Sequence, residues 1–352
     1  MSDADPLLLY GATGYSGRVI LDELLRQGVR PTLGGRDEGK VAPLAERHGL
    51  PYRVASLQDS ERLQAMLHDV RVVLHAAGPF SATAHLMVAA CLRAGAHYLD
   101  ITGEPTVIER LATRHAEARR RRTMILPGIG FDVVASDCLA AHVAARVPGA
   151  RRLTLAIRGL ELMSRGSALS FVEQAGQPVL VRRGGALTPV PPGELERDFD
   201  FGDGPRRCVN VSWGDVVTAY YSTGIPDIEI YFEPPPLFRA ALLASRFAGP
   251  LATTGPWQVW LKMHADFLPE GPTEAQRAAV RVVLLAEVEG SGRRASARLH
   301  TPQSYSFTGL SAAAIVRRVL SGDLEVGFQT PARVYGPDFV LSLAGVSRAD
   351  LT

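Results

Sequence analysis

Residues 7–25 read LLLYGATGYSGRVILDELL, and they decide the fold because two periodicities meet inside them. Leu7 to Tyr10 are a short apolar run of the kind that forms a buried strand. Beyond Tyr15, residues Ile20, Leu21, Leu24 and Leu25 fall on one face of a helix, which Gly28 ends. Between strand and helix lies GATGYSG, with glycines at 11, 14 and 17. In that setting Gly11 permits the tight turn, Gly14 lets backbone approach a pyrophosphate, and Gly17 lets the helix pack closely on its strand. The backbone of Thr13, Tyr15 and Ser16 then sits at a helix amino terminus, where phosphate is favoured. A dinucleotide-binding loop is the reading this context supports; a helix start that merely needs glycines is the alternative.

The first 130 residues continue the same rhythm of short apolar runs and amphipathic stretches, which marks a parallel sheet with crossover helices. Strands are expected at Leu7–Tyr10, Pro31–Gly34, Tyr52–Ala55, Val70–His75, His97–Ile101 and Thr123–Leu126. Gly49 and Gly95 end two of the intervening helices, and Asp59 caps a third. Past residue 150 the pattern changes to longer alternating strands, RRLTLAIRGLEL, IPDIEIYF and AAVRVVLLAEVEGSGRRASARLHTPQSYSFT, the last with a hairpin turn at EGSGR. The expected class is therefore α/β. A Rossmann doubly wound parallel sheet occupies 1–135, and a second α+β domain with a mixed or antiparallel sheet occupies 136–325. A carboxy-terminal segment, 326–352, returns to the first domain.

Composition removes several functions. A chain of 352 residues suits two domains, and 38 basic against 36 acidic residues leave no global field for nucleic acid. The run Arg119–Arg122 reads as a solvated helix end. Cys91, Cys138 and Cys208 are an odd number without CxxC spacing, which argues against a disulfide framework and a zinc site and for a reducing cytoplasm. The start, MSDADP, is polar and acidic rather than a targeting signal, and no uncharged apolar run reaches about 18 residues. The broken apolar stretch from Leu237 to Lys262 is expected to be core, subunit interface or, as the minor alternative, a membrane contact.

The second strand leads into LGGRDEGK, about 20 residues beyond the glycine loop, where an acid would accept the ribose hydroxyls of NAD. Arg36 stands there instead. Its guanidinium suits a 2′-phosphate, so NADP(H) is the expected cofactor, while the adjacent Asp37 has helix capping as its other use. Lysine occurs only at 40 and 262, and neither follows a tyrosine by four residues, which argues against the tyrosine–lysine carbonyl reductase mechanism.

Three further strings fall at expected strand ends: HAAGPF (75–80), YLDITGE (98–104) and PGIGFDVVASD (127–137). With the glycine loop and LGGR they resemble the saccharopine dehydrogenase-like oxidoreductases, most closely the trans-acting enoyl reductase branch. The likeness extends through SRGSA, WGDVVTAYYSTGIPDIEIYF and GFQTPARVYGPDFVL. It implies an NADP-binding Rossmann domain, a second α/β domain and hydride transfer between them. It also implies that Gly78, Pro79 and Phe80 run under the nicotinamide, with Ala76, Ala77 and Gly103 also at the cofactor. Relatives usually carry an amide before GPF, whereas this chain carries His75 and alanines.

Candidates for chemistry follow from residue type and position. Asp100 and Glu104 flank ITG at a strand end, where they serve either a ligand or the helix that starts near Pro105. Asp132 is the carboxylate of its string better placed for a ligand, and Asp137 or Ser136 has capping as its use. Asp215 precedes Tyr220 and Tyr221, and a phenol near an acceptor can donate the proton that accompanies hydride transfer. Arg165 in SRGSA can clamp a carboxylate or phosphate. Tyr220, Tyr221 and Asp132 are thus the catalytic candidates, and Asp100, Glu104, Arg165 and Asp215 the substrate-binding ones. No metal motif occurs.

The combined expectation is a cytoplasmic NADPH-dependent oxidoreductase acting on an activated double bond, with the resemblance favouring the C=C of an acyl or polyketide-like intermediate. The alternatives are an imine reductase or amino-acid-type dehydrogenase and a non-catalytic NADP sensor. The expected partners are a small-molecule or carrier-bound acyl substrate and a second copy of the chain.

Overall fold

The computed structural model describes residues 6–160, 162, 164–166, 177–234 and 270–352. The chain divides into two compact units. Met1–Val134 with Tyr305–Gly336 form the first, and Ala135–Ser304 with Pro337–Thr352 form the second. The Leu237 to Lys262 stretch lies outside the described residues.

In the first unit β1 (Leu7–Tyr10), β2 (Thr32–Gly35), β3 (Tyr52–Val54), β4 (Val72–His75), β5 (His97–Asp100) and β6 (Met124–Leu126) pair in parallel. Their spatial order, from β3 through β2, β1, β4 and β5 to β6, is the expected doubly wound one. Gly327–Phe328 adds a seventh parallel strand beside β6. Leu7 to Leu9, Val72 to Leu74 and Met124 to Leu126 are buried throughout, because helices cover both faces and leave no side of the strand wet.

Helices α1 (Tyr15–Arg26), α2 (Glu38–His48), α3 (Ser60–Met66), α4 (Phe80–Ala94), α5 (Pro105–Ala112) and α6 (His115–Arg120) connect the strands. Ile20, Leu21 and Leu24 form the buried stripe of α1, and Gly49 and Gly95 end α2 and α4 in the left-handed conformation. The Asp59 carboxylate accepts the Arg62 amide at 3.1 Å, capping α3. Arg119 to Arg122 are exposed at the end of α6.

Helix α7 (Phe131–Arg146) begins in the first unit and continues into the second. The second sheet is mixed. Parallel pairing joins β7 (Arg152–Arg158) to the strand Asp227–Phe232, and antiparallel pairing joins the others among its nine strands. Strands Arg281–Gly290 and Arg293–Pro302 meet at Ser291 and Gly292, both with positive φ (50° and 73°), the two-residue turn that EGSGR announces.

The return to the first unit differs from the expected 326–352. It begins at Tyr305, with the helix Ser304–Leu320, and ends at Gly336. The last residues rejoin the second sheet, where Ser347–Asp350 pairs antiparallel with Arg293–Pro302. Local chemistry holds them there. The Asp350 carboxylate meets His142 Nε2 at 2.7 Å and an Arg146 guanidinium nitrogen at 3.0 Å, and both partners lie on the second-unit part of α7. Cys91, Cys138 and Cys208 are buried free thiols. Among the described residues no helix is long and apolar enough to cross a membrane.

Candidate functional site

The glycine loop joins β1 to α1, and its three glycines have different surroundings. A Cβ on Gly17 would lie 2.2 Å from the Gly11 carbonyl oxygen, so loop and helix touch at that point. Gly11 adopts φ +95°, and a Cβ there would lie 2.7 Å from the Ala77 amide nitrogen, which presses the loop against the end of β4. Gly14 is open, with only the Gly11 carbonyl oxygen, at 3.5 Å, near its would-be Cβ. It occupies the N-cap position of α1 and brings no capping side chain. Thr13 offers its carbonyl to Arg18 at 2.8 Å, and Tyr15 packs edge-on against Tyr305 with ring centroids 4.9 Å apart. Ser16 is half-buried beside them.

Arg36 follows β2 and is exposed, and among the described residues no acceptor binds its guanidinium. It lies close enough to Tyr10 to oppose the rise that burial imposes on that phenol. Asp37 occupies the N-cap position of α2 without a side-chain cap bond, and its carboxylate lies 3.8 Å from Lys40.

At the end of β4, Ala76 and Ala77 lead into a cis Gly78–Pro79 bond and the start of α4 at Phe80. The Thr83 hydroxyl reaches the carbonyls of Ala77 and Pro79, each at 2.9 Å. Beneath this turn His75 is fully buried, with its ring edge-on to Tyr10, Phe80 and Tyr98. Its Nδ1 lies 3.1 Å from the Tyr98 oxygen, and Tyr98 donates to the Asp100 carboxylate at 2.7 Å. The other Asp100 oxygen accepts the amides of Thr102 and Gly128, both at 2.9 Å.

With Asp100 ionised, Tyr98 spends its proton on the carboxylate, so His75 Nδ1 must donate to Tyr98. Burial pushes the His75 pKa down to about 3. Burial likewise raises Asp100 to about 6 against the pull of its hydrogen bonds, and the Glu104 charge adds to the rise. Burial, and after it the Asp100 charge, holds the Tyr98 phenol well above its ordinary value.

Asp100 is therefore completely enclosed by protein. Glu104 caps a different helix from the neighbouring one. Its two oxygens accept the Phe80 and Ser81 amides of α4 at 2.9 and 3.0 Å, although its backbone is the N-cap of α5. Asp132 lies in the first turn of α7 against Gly103, whose would-be Cβ falls 2.8 Å from a carboxylate oxygen.

In the second unit Asp215 starts helix α8 (Asp215–Thr223) and is fully buried, accepting the Ser136 hydroxyl at 2.7 Å. Asp137 accepts the Ser222 hydroxyl at 2.6 Å, so two serine–aspartate bonds buckle α7 to α8. Tyr220 packs edge-on to Tyr221, and the buried Arg182 guanidinium lies 4.2 Å from the Tyr220 ring centroid. Arg182 also donates to the carbonyls of Val216 and Gly185, each at 2.6 Å. The Tyr220 hydroxyl makes no hydrogen bond among the described residues. Arg165 is half-buried, and its amide binds the Glu270 carbonyl at 3.2 Å. Among the described residues no three His, Cys, Asp or Glu side chains are grouped to hold a metal.

Residues 7–126, from β1 through β6, match the family model of the saccharopine dehydrogenase NADP-binding domain. The first unit carries that domain. It is thus a nicotinamide dinucleotide-binding domain, and the resemblance drawn from the strings above holds across it. A trans-acting enoyl reductase of Mycobacterium leprae is 32% identical over 139 residues, which are 37% of this chain and 33% of the relative. A Mycobacterium tuberculosis protein that bears the same name provisionally is 35% identical over 158 residues, 42% of this chain and 38% of the relative. The chain thus spans less than half the length of these curated relatives. Saccharopine dehydrogenase (L-Glu forming) of Saccharomyces cerevisiae aligns over 98% of this chain and 99% of its own, with a TM-score of 0.65 at 12% identity, a likeness of fold.

Sequence reasoning missed Tyr98, Thr83 and Arg182. The alternation of β5 carried a signal for the first, since Tyr98 and Asp100 are two apart and share a face.

Proposed function

We propose that the chain is an NADPH-dependent reductase acting on an activated double bond, with the C=C of an acyl or polyketide-type thioester as the favoured substrate class. The observation that carries the cofactor choice is Arg36, exposed at the end of the second strand with no acceptor bound among the described residues. A guanidinium so placed pairs with a 2′-phosphate, where a carboxylate would select the 2′-hydroxyl. The preference for C=C over C=N rests on the relatives named trans-acting enoyl reductase.

On this reading the open backbone at Gly14, the glycine N-cap of α1, receives the diphosphate. The Ala76–Phe80 turn lies under the nicotinamide half, and Tyr220, with its hydroxyl unbonded among the described residues, is the proton donor. The chemistry such a cofactor supplies is hydride: the electron-poor carbon accepts it, a proton adds to the adjacent carbon, and NADP⁺ and the saturated product leave.

Calorimetry on Arg36→Ala tests the cofactor assignment. NADPH should bind roughly 10- to 100-fold more weakly and NADH by less than about two-fold. Equal losses for both nucleotides would remove Arg36 from this role. Disappearance of NADPH absorbance with an α,β-unsaturated acyl thioester tests the reaction, and tight NADPH binding without turnover on thioester, enone or imine would leave a sensor instead.

A further inference from the structure

Two helices of the first sheet start at strand ends close to the loop–turn contact between Gly11 and Ala77, and their amino termini are treated in opposite ways. Helix α1 begins at Gly14, an N-cap residue that brings no capping side chain. Helix α4 begins at Phe80 with the Glu104 carboxylate across its first two amides. Two charge-assisted hydrogen bonds and a helix dipole make that a firm contact, and its negative charge excludes phosphate from α4.

Glu104 is also one link of a closed circuit. Its amide donates to the Thr102 hydroxyl oxygen at 3.1 Å, and the Thr102 amide donates to Asp100 at 2.9 Å. Asp100 holds Tyr98, and Tyr98 holds His75. The His75 ring lies edge-on to the Phe80 ring, with centroids 5.3 Å apart, and the Phe80 amide returns the path to Glu104. Phe80 is thus gripped twice, by its ring from the buried side and by its backbone from the outer side. Thr83 ties the carbonyls on either side of Gly78, and the Gly11 backbone abuts Ala76 and Ala77. The turn cannot shift without breaking the circuit or moving the glycine loop.

We propose that Glu104 is a positioning residue for the nicotinamide half of the cofactor: by clamping the first amides of α4 it fixes the Gly78–Phe80 turn in register with the glycine loop. This rests on the cofactor reading given above. The adenosine half is recognised elsewhere, at Gly14 and Arg36, so the clamp acts on one half of the ligand.

That division supplies the test. Wild-type chain, Glu104→Ala, Glu104→Gln and Thr83→Val are titrated with NADPH and with adenosine 2′,5′-bisphosphate, which lacks the nicotinamide half. Glu104→Ala should weaken NADPH about ten-fold and leave the bisphosphate within about two-fold, since hydrogen bonds to a charged group are lost only beneath the turn. Glu104→Gln, which keeps one acceptor oxygen, should fall between wild type and Glu104→Ala. Thr83→Val should move NADPH in the same direction by a smaller factor, and it carries the test if Glu104→Ala fails to fold. Unchanged NADPH affinity in both Glu104→Gln and Thr83→Val, or equal losses for the two ligands, overturns the proposal. A wild-type chain that binds neither ligand overturns the cofactor reading instead.

Discussion

Helices α1 and α8 both begin where sequence reasoning places function, yet their polar groups are used differently. At α1 the chain leaves Gly14 uncovered, and Arg36 nearby on β2's exit has no acceptor among the described residues. At α8 Asp215 is fully buried on the Ser136 hydroxyl, and Arg182 is spent on the carbonyls of Val216 and Gly185 and on the Tyr220 ring. A buried polar group that already has a protein partner is holding the fold together, whereas an open donor at a helix start is available to a ligand. By that criterion Asp215 is architecture. In α8 the Tyr220 hydroxyl is the group that resembles the α1 pattern, with its ring fixed under Arg182 and no hydrogen bond to it among the described residues.

The sharpest way to break the comparison is therefore Tyr220→Phe. The phenyl ring keeps its place under Arg182, so stability should change by less than about 0.5 kcal/mol. Turnover should fall on the order of a hundred-fold, the lower range for loss of a general acid, with NADPH affinity unchanged. Steady-state rates beside a urea melt check both. Unaltered turnover would place the tyrosine with Asp215, as structure alone.

Within the glycine loop the same distinction separates two substitutions of identical chemistry. Gly17→Ala puts a methyl 2.2 Å from the Gly11 carbonyl, so the loop must deform. A loss of about 2–3 kcal/mol in folding stability is expected, with nucleotide binding lost alongside it. Gly14→Ala meets nothing closer than 3.5 Å, and the N-cap backbone there, φ −74° and ψ 163°, suits alanine. It should cost no more than about 1 kcal/mol while still obstructing the diphosphate. Denaturation midpoints and calorimetry on both variants decide it, and equal destabilisation would erase the contrast.

These outcomes also mark what a reader of the sequence could see. The glycine loop was legible because its demands are local: a turn, a close approach and a helix start lie within seven residues. The strands and the Asp59, Gly49 and Gly95 helix ends were legible for the same reason. Glu104 was legible as a capping residue but on the wrong helix, since its partners lie 23 and 24 residues earlier and are brought near only by the pairing of β4 with β5. His75 looked like a departure from a family pattern; its role depends on Tyr98 of the neighbouring strand. The chain's third crossing, back to the second unit at 336/337, leads to the contact of Asp350 with His142, 208 residues apart, which no local pattern encodes.

The smallest effect concerns the buried chain beneath the turn, where two groups with opposite shifts offset each other. His75 has a folded pKa of about 3 against an unfolded value of roughly 6.5, so its contribution is present above the unfolded value and is lost as pH falls toward 3. Asp100 is raised from 3.8 to about 6, so its contribution is present at low pH and is lost as pH rises through 6. Between about pH 4 and 6 the unfolded chain holds the histidine proton and the folded chain the aspartate proton, so the pair adds almost no slope. Asp100→Asn removes one side of that balance. Its stability relative to wild type should improve by on the order of 2 kcal/mol as pH rises from about 4 to about 6, because the histidine proton held by the unfolded chain is then no longer offset by the aspartate proton held by the folded one. Urea melts of both chains across that window measure the difference, and a gap that stays constant with pH would mean that Asp100 titrates in the folded chain much as it does in the unfolded one.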